Sequence, residues 1–186
     1  MRLLPGEYHG MRSGAVLTTL LGSCVAACLF DPVNGIAGMN HFLIADTNRD
    51  VADLHSEASR YGVQSMELLI NSMMRLGADR ANLRAKAFGG GEVLDMGLPP
   101  DRTSIGAGNC RFITGFLQAE GIPLLASALG GEHGRVIRFD TLDFTVGVKQ
   151  IQRSKTAKVA RADSEQLKRQ LARQRPVAAD VDIWLG

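Results

Sequence analysis

The segment from Thr18 to Asp46, TTLLGSCVAACLFDPVNGIAGMNHFLIAD, constrains the fold more than any other part of this chain. Cys24 to Phe30 is short and apolar, and Gly35 to Ile44 is mostly apolar again. Between them Asp31 to Asn34 (DPVN) is turn chemistry, because Pro sets φ and the Asp and Asn side chains bond their own backbone. Two such runs about one turn predict a β-hairpin. With Asp31 to Asn34 as the loop, Phe30 faces Gly35 and Cys24 lies directly opposite His41, which sets their Cβ atoms about 4.5–5.5 Å apart on one face. A slip of one residue would send the histidine to the other face, so the pairing depends on loop length.

A thiol beside an imidazole is the arrangement needed for nucleophilic attack on a carbonyl, because the imidazole takes the thiol proton. A third group is expected to orient the ring, and Thr18 is the candidate. Six residues of straight strand would hold it about 20 Å from Cys24, so the chain must bend between them. Leu21 and Gly22 stand where that bend is needed. Gly22 tolerates φ > 0, and its backbone N–H, with those of Ser23 and Cys24, forms a candidate oxyanion hole. The same residues admit a plainer reading. A cysteine in an apolar strand also suits a small buried hydrophobe, and a strand histidine suits a satisfied structural group.

Periodicity along the rest of the chain predicts strands near 14–20, 24–30, 36–44, 83–88, 122–128, 135–140 and 143–149. Helices are predicted over about 60–76 and 106–120, ending at Gly77 and Gly121. Tyr61, Met66, Leu69, Ile70 and Met73 make the apolar stripe of the first, and Phe112, Ile113, Phe116 and Leu117 that of the second. Many strands with two long helices define an α+β layered domain. Gly89 to Gly91 lacks the Lys and Ser or Thr of a phosphate loop and reads as a tight turn. His133, in GGEHGR, is a second candidate imidazole in a turn, His9 and His55 read as surface groups, and Arg135 either meets a substrate carboxylate or pins the turn. Cys24, Cys28 and Cys110 form no metal-ligand spacing, and their odd number without a secretion signal argues for reduced thiols.

Charge divides the chain in two. Lys149 to Arg175 holds nine Lys or Arg against Asp163 and Glu165, whereas the first 148 residues carry twelve basic and fifteen acidic groups. A mildly acidic domain over residues 1–150 therefore precedes a basic extension over 151–186, partly helical or disordered. The extension has no aromatic residue before Trp184 and no nucleic-acid-binding module, so nucleic acid is not an expected partner. A helix from roughly Arg161 to Arg173 would present basic side chains to an acidic partner. No apolar run reaches the roughly 20 residues of a membrane span, and MRLLPGEYHG has no signal-peptide core, so a cytoplasmic protein without membrane insertion is expected.

These motifs together resemble the CheD family, the chemoreceptor glutamine deamidases of bacterial and archaeal chemotaxis. Thr18, Gly22, Ser23, Cys24, Val25 and Ala26 match its nucleophile strand, Asp31 and Pro32 its turn, and His41 with Asp46 its base strand. YGVQSMELLINSMMRLGA resembles its first long helix, KAFGGG its glycine turn, IGAGNC its second helix start and GGEHGR its following element, so the likeness covers about residues 5 to 150. Ala45 replaces a usual proline and Gly108 a frequent arginine. The resemblance implies a layered sandwich of packed β-sheets with helices on one face. It also implies hydrolysis of glutamine side chains to glutamate in the cytoplasmic helices of chemoreceptors, through a thioester on Cys24, with His41 as base, Thr18 as its orienter and Gly22 and Ser23 at the oxyanion. No metal or organic cofactor is required. Chemoreceptors, and in some organisms a CheC-type phosphatase, are the implied partners. A largely non-catalytic adaptor that binds either of these is the alternative.

Overall fold

The computed structural model describes residues 1–44, 57–93 and 104–151, together with positions 161, 165, 168 and 169, and side chains from residue 59 onward in the first helix. Among these residues eight strands and two long helices follow one another as β1 (Tyr8–Arg12), β2 (Val16–Leu21), β3 (Val25–Asp31), β4 (Ile36–Asn40), α1 (Glu57–Arg75), β5 (Arg84–Gly89), α2 (Ile105–Ala119), β6 (Leu124–Leu129), β7 (Arg135–Asp140) and β8 (Val146–Gln150). A short 3-10 helix, Arg80–Asn82, precedes β5. Five strands form one sheet in the order β1-β4-β3-β5-β6, and three form another in the order β2-β7-β8.

Three layers result. Every residue of β3 and β4 is buried, because their sheet is covered on both faces. Val25, Ala27 and Leu29 pack against α1 and α2, joined by Met66, Leu69, Ile70, Phe112 and Phe116. The alternate residues Cys24, Ala26, Cys28 and Phe30 face the three-stranded sheet, where they meet Leu17, Leu21, Ile137 and Phe139. Strand periodicity thus assigns Cys24 and Cys28 to the space between the sheets, and no disulfide joins the cysteines. The architecture is the α+β layered sandwich with helices on one face that the sequence implied.

Both helices stop where glycine was expected to stop them. Gly77 has φ 101° and Gly121 has φ 64°. The Ala78 N–H returns to Met73 C=O at 3.1 Å, and the Ile122 N–H to Leu117 C=O at 2.9 Å, so each end closes in a Schellman motif. Ser104 caps the start of α2 by accepting from the Ala107 N–H at 3.1 Å. The strand missing from the sequence reading is β1. Its GEYHGMR stretch lacks an alternating apolar pattern, and it is a strand because β4 pairs with it from Tyr8↔Asn40 to Arg12↔Ile36.

The hairpin forms one residue later than expected. Its loop is Pro32 to Gly35, not Asp31 to Asn34, and β3 pairs with β4 as Cys28↔Met39, Phe30↔Ala37 and Asp31↔Ile36. Asp31 closes the loop from the strand end, its carboxylate accepting from the N–H groups of Val33 (2.9 Å), Asn34 (3.0 Å) and Asp79 (2.8 Å). Gly35, at φ 63°, supplies the left-handed residue that returns the chain to β4. Burial raises the Asp31 carboxyl, but the hydrogen bonds from Asn34, Asp79 and Val33 outweigh it and leave the group below its ordinary range.

Candidate active site

Moving the loop by one residue changes every facing pair by two, so the face is preserved while the partner changes. The Val25 N–H donates to Phe42 C=O at 3.0 Å, and the Phe42 N–H donates to Val25 C=O at 2.9 Å. Cys24 is therefore not directly opposite His41. Ala26 takes that place, and Cys24 is the diagonal neighbour on the same face, about 7–8 Å away between backbone positions and within reach of an imidazole.

Cys24 ends the crossover from β2 in one sheet to β3 in the other. The three carbonyls of that crossover are all held. Gly22 C=O accepts from the Gly91 N–H at 2.7 Å, Ser23 C=O from Asn109 Nδ2 at 3.1 Å, and Cys24 C=O from the Gly90 N–H at 2.8 Å. The close approach requires glycine. A Cβ on Gly89 would sit 2.2 Å from Cys24 O, and Gly89 and Gly90 have φ values of 115° and 66°. Gly89 to Gly91 is more than a tight turn: it is the cradle of the cysteine-bearing loop.

His41 lies just past the end of β4, its N–H donating to Glu7 C=O at 2.9 Å and its C=O accepting from the Gly6 N–H at 2.7 Å. His41 is 1% exposed and Cys24 0%. His41 Nδ1 lies 2.8 Å from Thr19 Oγ1, and that hydroxyl donates to Leu3 C=O, also at 2.8 Å. A hydroxyl has one proton, so Thr19 spends it on Leu3 and accepts from Nδ1–H. The tautomer that remains has its lone pair on Nε2, a buried nitrogen without a hydrogen-bond partner among the described residues. Desolvation pulls His41 down to about 3, so the imidazole is neutral at neutral pH.

The structure does not bring Thr18, the expected orienter, to His41; the hydroxyl at Nδ1 is that of Thr19. On β2 the residues Leu17, Thr19 and Leu21 point between the sheets, whereas Thr18 is half-buried on the other face and its hydroxyl donates to Met1 C=O at 3.3 Å. The bend anticipated at Leu21 and Gly22 does occur, as the passage from one sheet to the other, but strand alternation selects the second threonine of the pair. Ser23 is buried at 1% exposure beside Cys24.

In the sequence Asn109 stands out only as part of a helix start, IGAGNC. It is fully buried on α2, accepting from the Ile44 N–H at 2.7 Å and donating to Ser23 C=O and, at 2.8 Å, to Ile105 C=O. A buried polar residue on the apolar face of a predicted helix was the available signal. Asn40 plays a related part beside His41, its Oδ1 accepting from the Ala27 N–H at 2.9 Å in place of a ladder carbonyl. Arg135 pins its turn, donating to the carbonyls of Ala128 and Gly130 and, at 3.5 Å, of His133. His133 is half-buried in that turn, His9 is half-buried on β1, and His55, Ala45 and Asp46 lie outside the described residues. Among the described residues no helix is long and apolar enough to cross a membrane.

Comparison with known proteins gives one family. Residues 43–150 match the family model for CheD chemotactic sensory transduction, a span that begins just after His41. Relatives extend the match to the whole chain. A probable chemoreceptor glutamine deamidase CheD 1 of Geobacter sulfurreducens is 49% identical, covering 100% of this chain and 94% of its own. A second, from Shewanella oneidensis, is 40% identical over 99% of this chain and 87% of its own, and a probable chemoreceptor glutamine deamidase CheD of Agrobacterium fabrum is 38% identical over 99% and 96%. A solved structure, the hypothetical protein YfiH of Bacillus licheniformis, overlaps 61% of this chain and 46% of its own with TM-score 0.35 and 16% identity, too slight a likeness to bear on either fold or chemistry. With a family model over more than half its length and full-length relatives on both sides of the cysteine-histidine pair, this chain belongs to the CheD family.

Proposed function

We propose that this protein hydrolyses glutamine side-chain amides of chemoreceptors to glutamate, with Cys24 as nucleophile and His41 as base. The observation that carries the reading is the relay from His41 Nδ1–H to the Thr19 hydroxyl to Leu3 C=O. It leaves the Nε2 lone pair of a buried, neutral imidazole on the same sheet face as the Cys24 thiol. The printed names of the full-length relatives supply the substrate class.

A neutral His41 does not hold a preformed thiolate by its charge. Nε2 takes the Sγ proton as sulfur bonds to the side-chain amide carbon, and the carbonyl π pair moves to oxygen. Backbone N–H groups around Gly22, Ser23 and Cys24 receive that oxyanion. The imidazolium then protonates the departing nitrogen, ammonia leaves, and a thioester remains on Cys24. Water, deprotonated by Nε2, adds to the thioester. The collapse restores the thiol and releases glutamate. Thr19, in place of Thr18, keeps Nδ1 protonated throughout. No step in this sequence draws on a metal or an organic cofactor, and a chemoreceptor substrate places the reaction in the cytoplasm.

Mass spectrometry of a glutamine-containing receptor signalling fragment tests the reading. Wild type is expected to add about 1 Da per modified glutamine with the chain intact, and Cys24→Ala and His41→Ala to add none. A gain that persists in Cys24→Ala would overturn it. A second reading draws on the full burial of the pair: the chain docks on chemoreceptors or a CheC-type phosphatase without turnover, and Cys24→Ala then restores receptor output as fully as wild type.

A further inference from the structure

Two segments with no covalent proximity must hold a thiol and an imidazole in register: the crossover ending at Cys24 and the stretch from His41 to Ile44. Their direct link on the described backbone is the single Val25/Phe42 pair. The second link is a side chain. Asn109, on α2, accepts from the Ile44 N–H at 2.7 Å with Oδ1 and donates to Ser23 C=O at 3.1 Å with Nδ2. The second Nδ2 proton goes to Ile105 C=O at 2.8 Å, one turn back on the same helix, which fixes the amide plane relative to α2. The orientation is unambiguous, because Ile44 offers only a proton and the two carbonyls offer only lone pairs.

We propose that Asn109 is a positioning residue for the Cys24–His41 pair, setting both the spacing of the two segments and the direction of the Cys24 N–H. This rests on the thiol-imidazole reading above. The second part follows from the peptide bond. Among the described residues every peptide is trans, so Ser23 C=O and the Cys24 N–H of the same peptide point in opposite directions. Asn109 draws the carbonyl toward α2. The N–H is thereby turned away from the helix layer, toward the inter-sheet side on which the Cys24 side chain lies. A donor at the nucleophile's own amide is where the oxyanion of a tetrahedral intermediate forms. Asn109 touches neither substrate nor the reacting atoms; it acts through the two backbones that carry them.

The predicted signature separates positioning from mere support of the fold. Asn109→Ala, assayed on the receptor fragment alongside wild type, should lose about 10²-fold in kcat with KM unchanged within about twofold, as expected for misplacement of reacting groups by about 1 Å. Asn109→Asp should show a pH profile of its own. Its carboxylate faces two carbonyls and cannot donate, whereas its protonated form can, so its kcat relative to wild type should rise as pH falls. In wild type the Ile44 amide should be strongly protected from hydrogen exchange, a measurement that needs no variant to fold. An Asn109→Ala kcat within about threefold of wild type, an Asn109→Asp ratio flat with pH, or an Ile44 amide exchanging like an exposed one would each overturn the proposal. Wild type inactive on every receptor fragment would instead remove the deamidase reading on which it rests. Wild type active with unimpaired Asn109 variants removes the positioning role alone.

Discussion

At the residue scale the site turns on which of two adjacent threonines meets His41. The sequence places a threonine near the pair but does not say which faces inward, because parity on β2 is set by packing against Ile137 and Phe139 of its neighbour. Thr19→Val is expected to lower kcat for deamidation about 10²-fold, since the buried Nδ1–H loses its acceptor and the Nε2 lone pair is no longer enforced. Thr18→Val should remain within about twofold of wild type in the same assay. Equal losses in the two variants would refute the assignment of Thr19. His41 also links stability to pH. Its folded value is about 3 against an ordinary 6.5, so between those values the unfolded chain binds a proton that the folded chain refuses. Stability is then complete above about pH 6.5 and drains as pH falls through the window, with at most one proton's slope. Urea unfolding at several pH values should show this decline in wild type and a flatter profile in His41→Gln.

At the element scale, the Gly89 to Gly91 loop that holds the cysteine segment is legible as a glycine run but not as that segment's neighbour. Gly89→Ala should cost at least about 2 kcal/mol, because the backbone sits at φ 115° and the new Cβ would lie 2.2 Å from Cys24 O. Thermal unfolding and kcat, measured below the new Tm, should both fall. Gly115, inside α2 with nothing within 4 Å of its Cβ position, gives the opposite expectation: Gly115→Ala should stabilise by about 0.5–1 kcal/mol. Helix ends were legible, since Gly77 and Gly121 are local signals that the backbone obeys whatever surrounds it. The hairpin was legible as a hairpin and misplaced by one residue. Asp31 and Gly35 bracket the loop equally well from sequence, and the Asp79 N–H on the Asp31 carboxylate belongs to a segment far along the chain. Strand β1 was not legible, because its residues carry no period and its pairing is supplied by β4.

At the scale of the molecule, the described residues of both cores come from the segment up to Val146, and the basic extension begins beyond it. Arg161, Glu165, Lys168 and Arg169 are helical and exposed, with a spacing that gathers them on one side of a helix. Deleting residues 154 to 175 should leave Tm within a few degrees of wild type and weaken binding to a receptor fragment, with the difference vanishing at high salt as screening removes the attraction. An unchanged affinity at low salt would dismiss the extension as a docking element. Composition and periodicity alone determined the fold class, the two helices and most strands, because apolar period and glycine stops act locally and survive any tertiary arrangement. The resemblance likewise rested on short local motifs in a fixed order, from Gly22, Ser23 and Cys24 with His41 seventeen residues on to KAFGGG, IGAGNC and GGEHGR. Only the tertiary structure decided which hydroxyl meets the imidazole, which glycines cradle the cysteine loop and which asparagine ties the two segments. Each of those contacts joins residues of different elements across a layer boundary, and their positions follow from how two sheets and a helix pack, a quantity that no local pattern encodes.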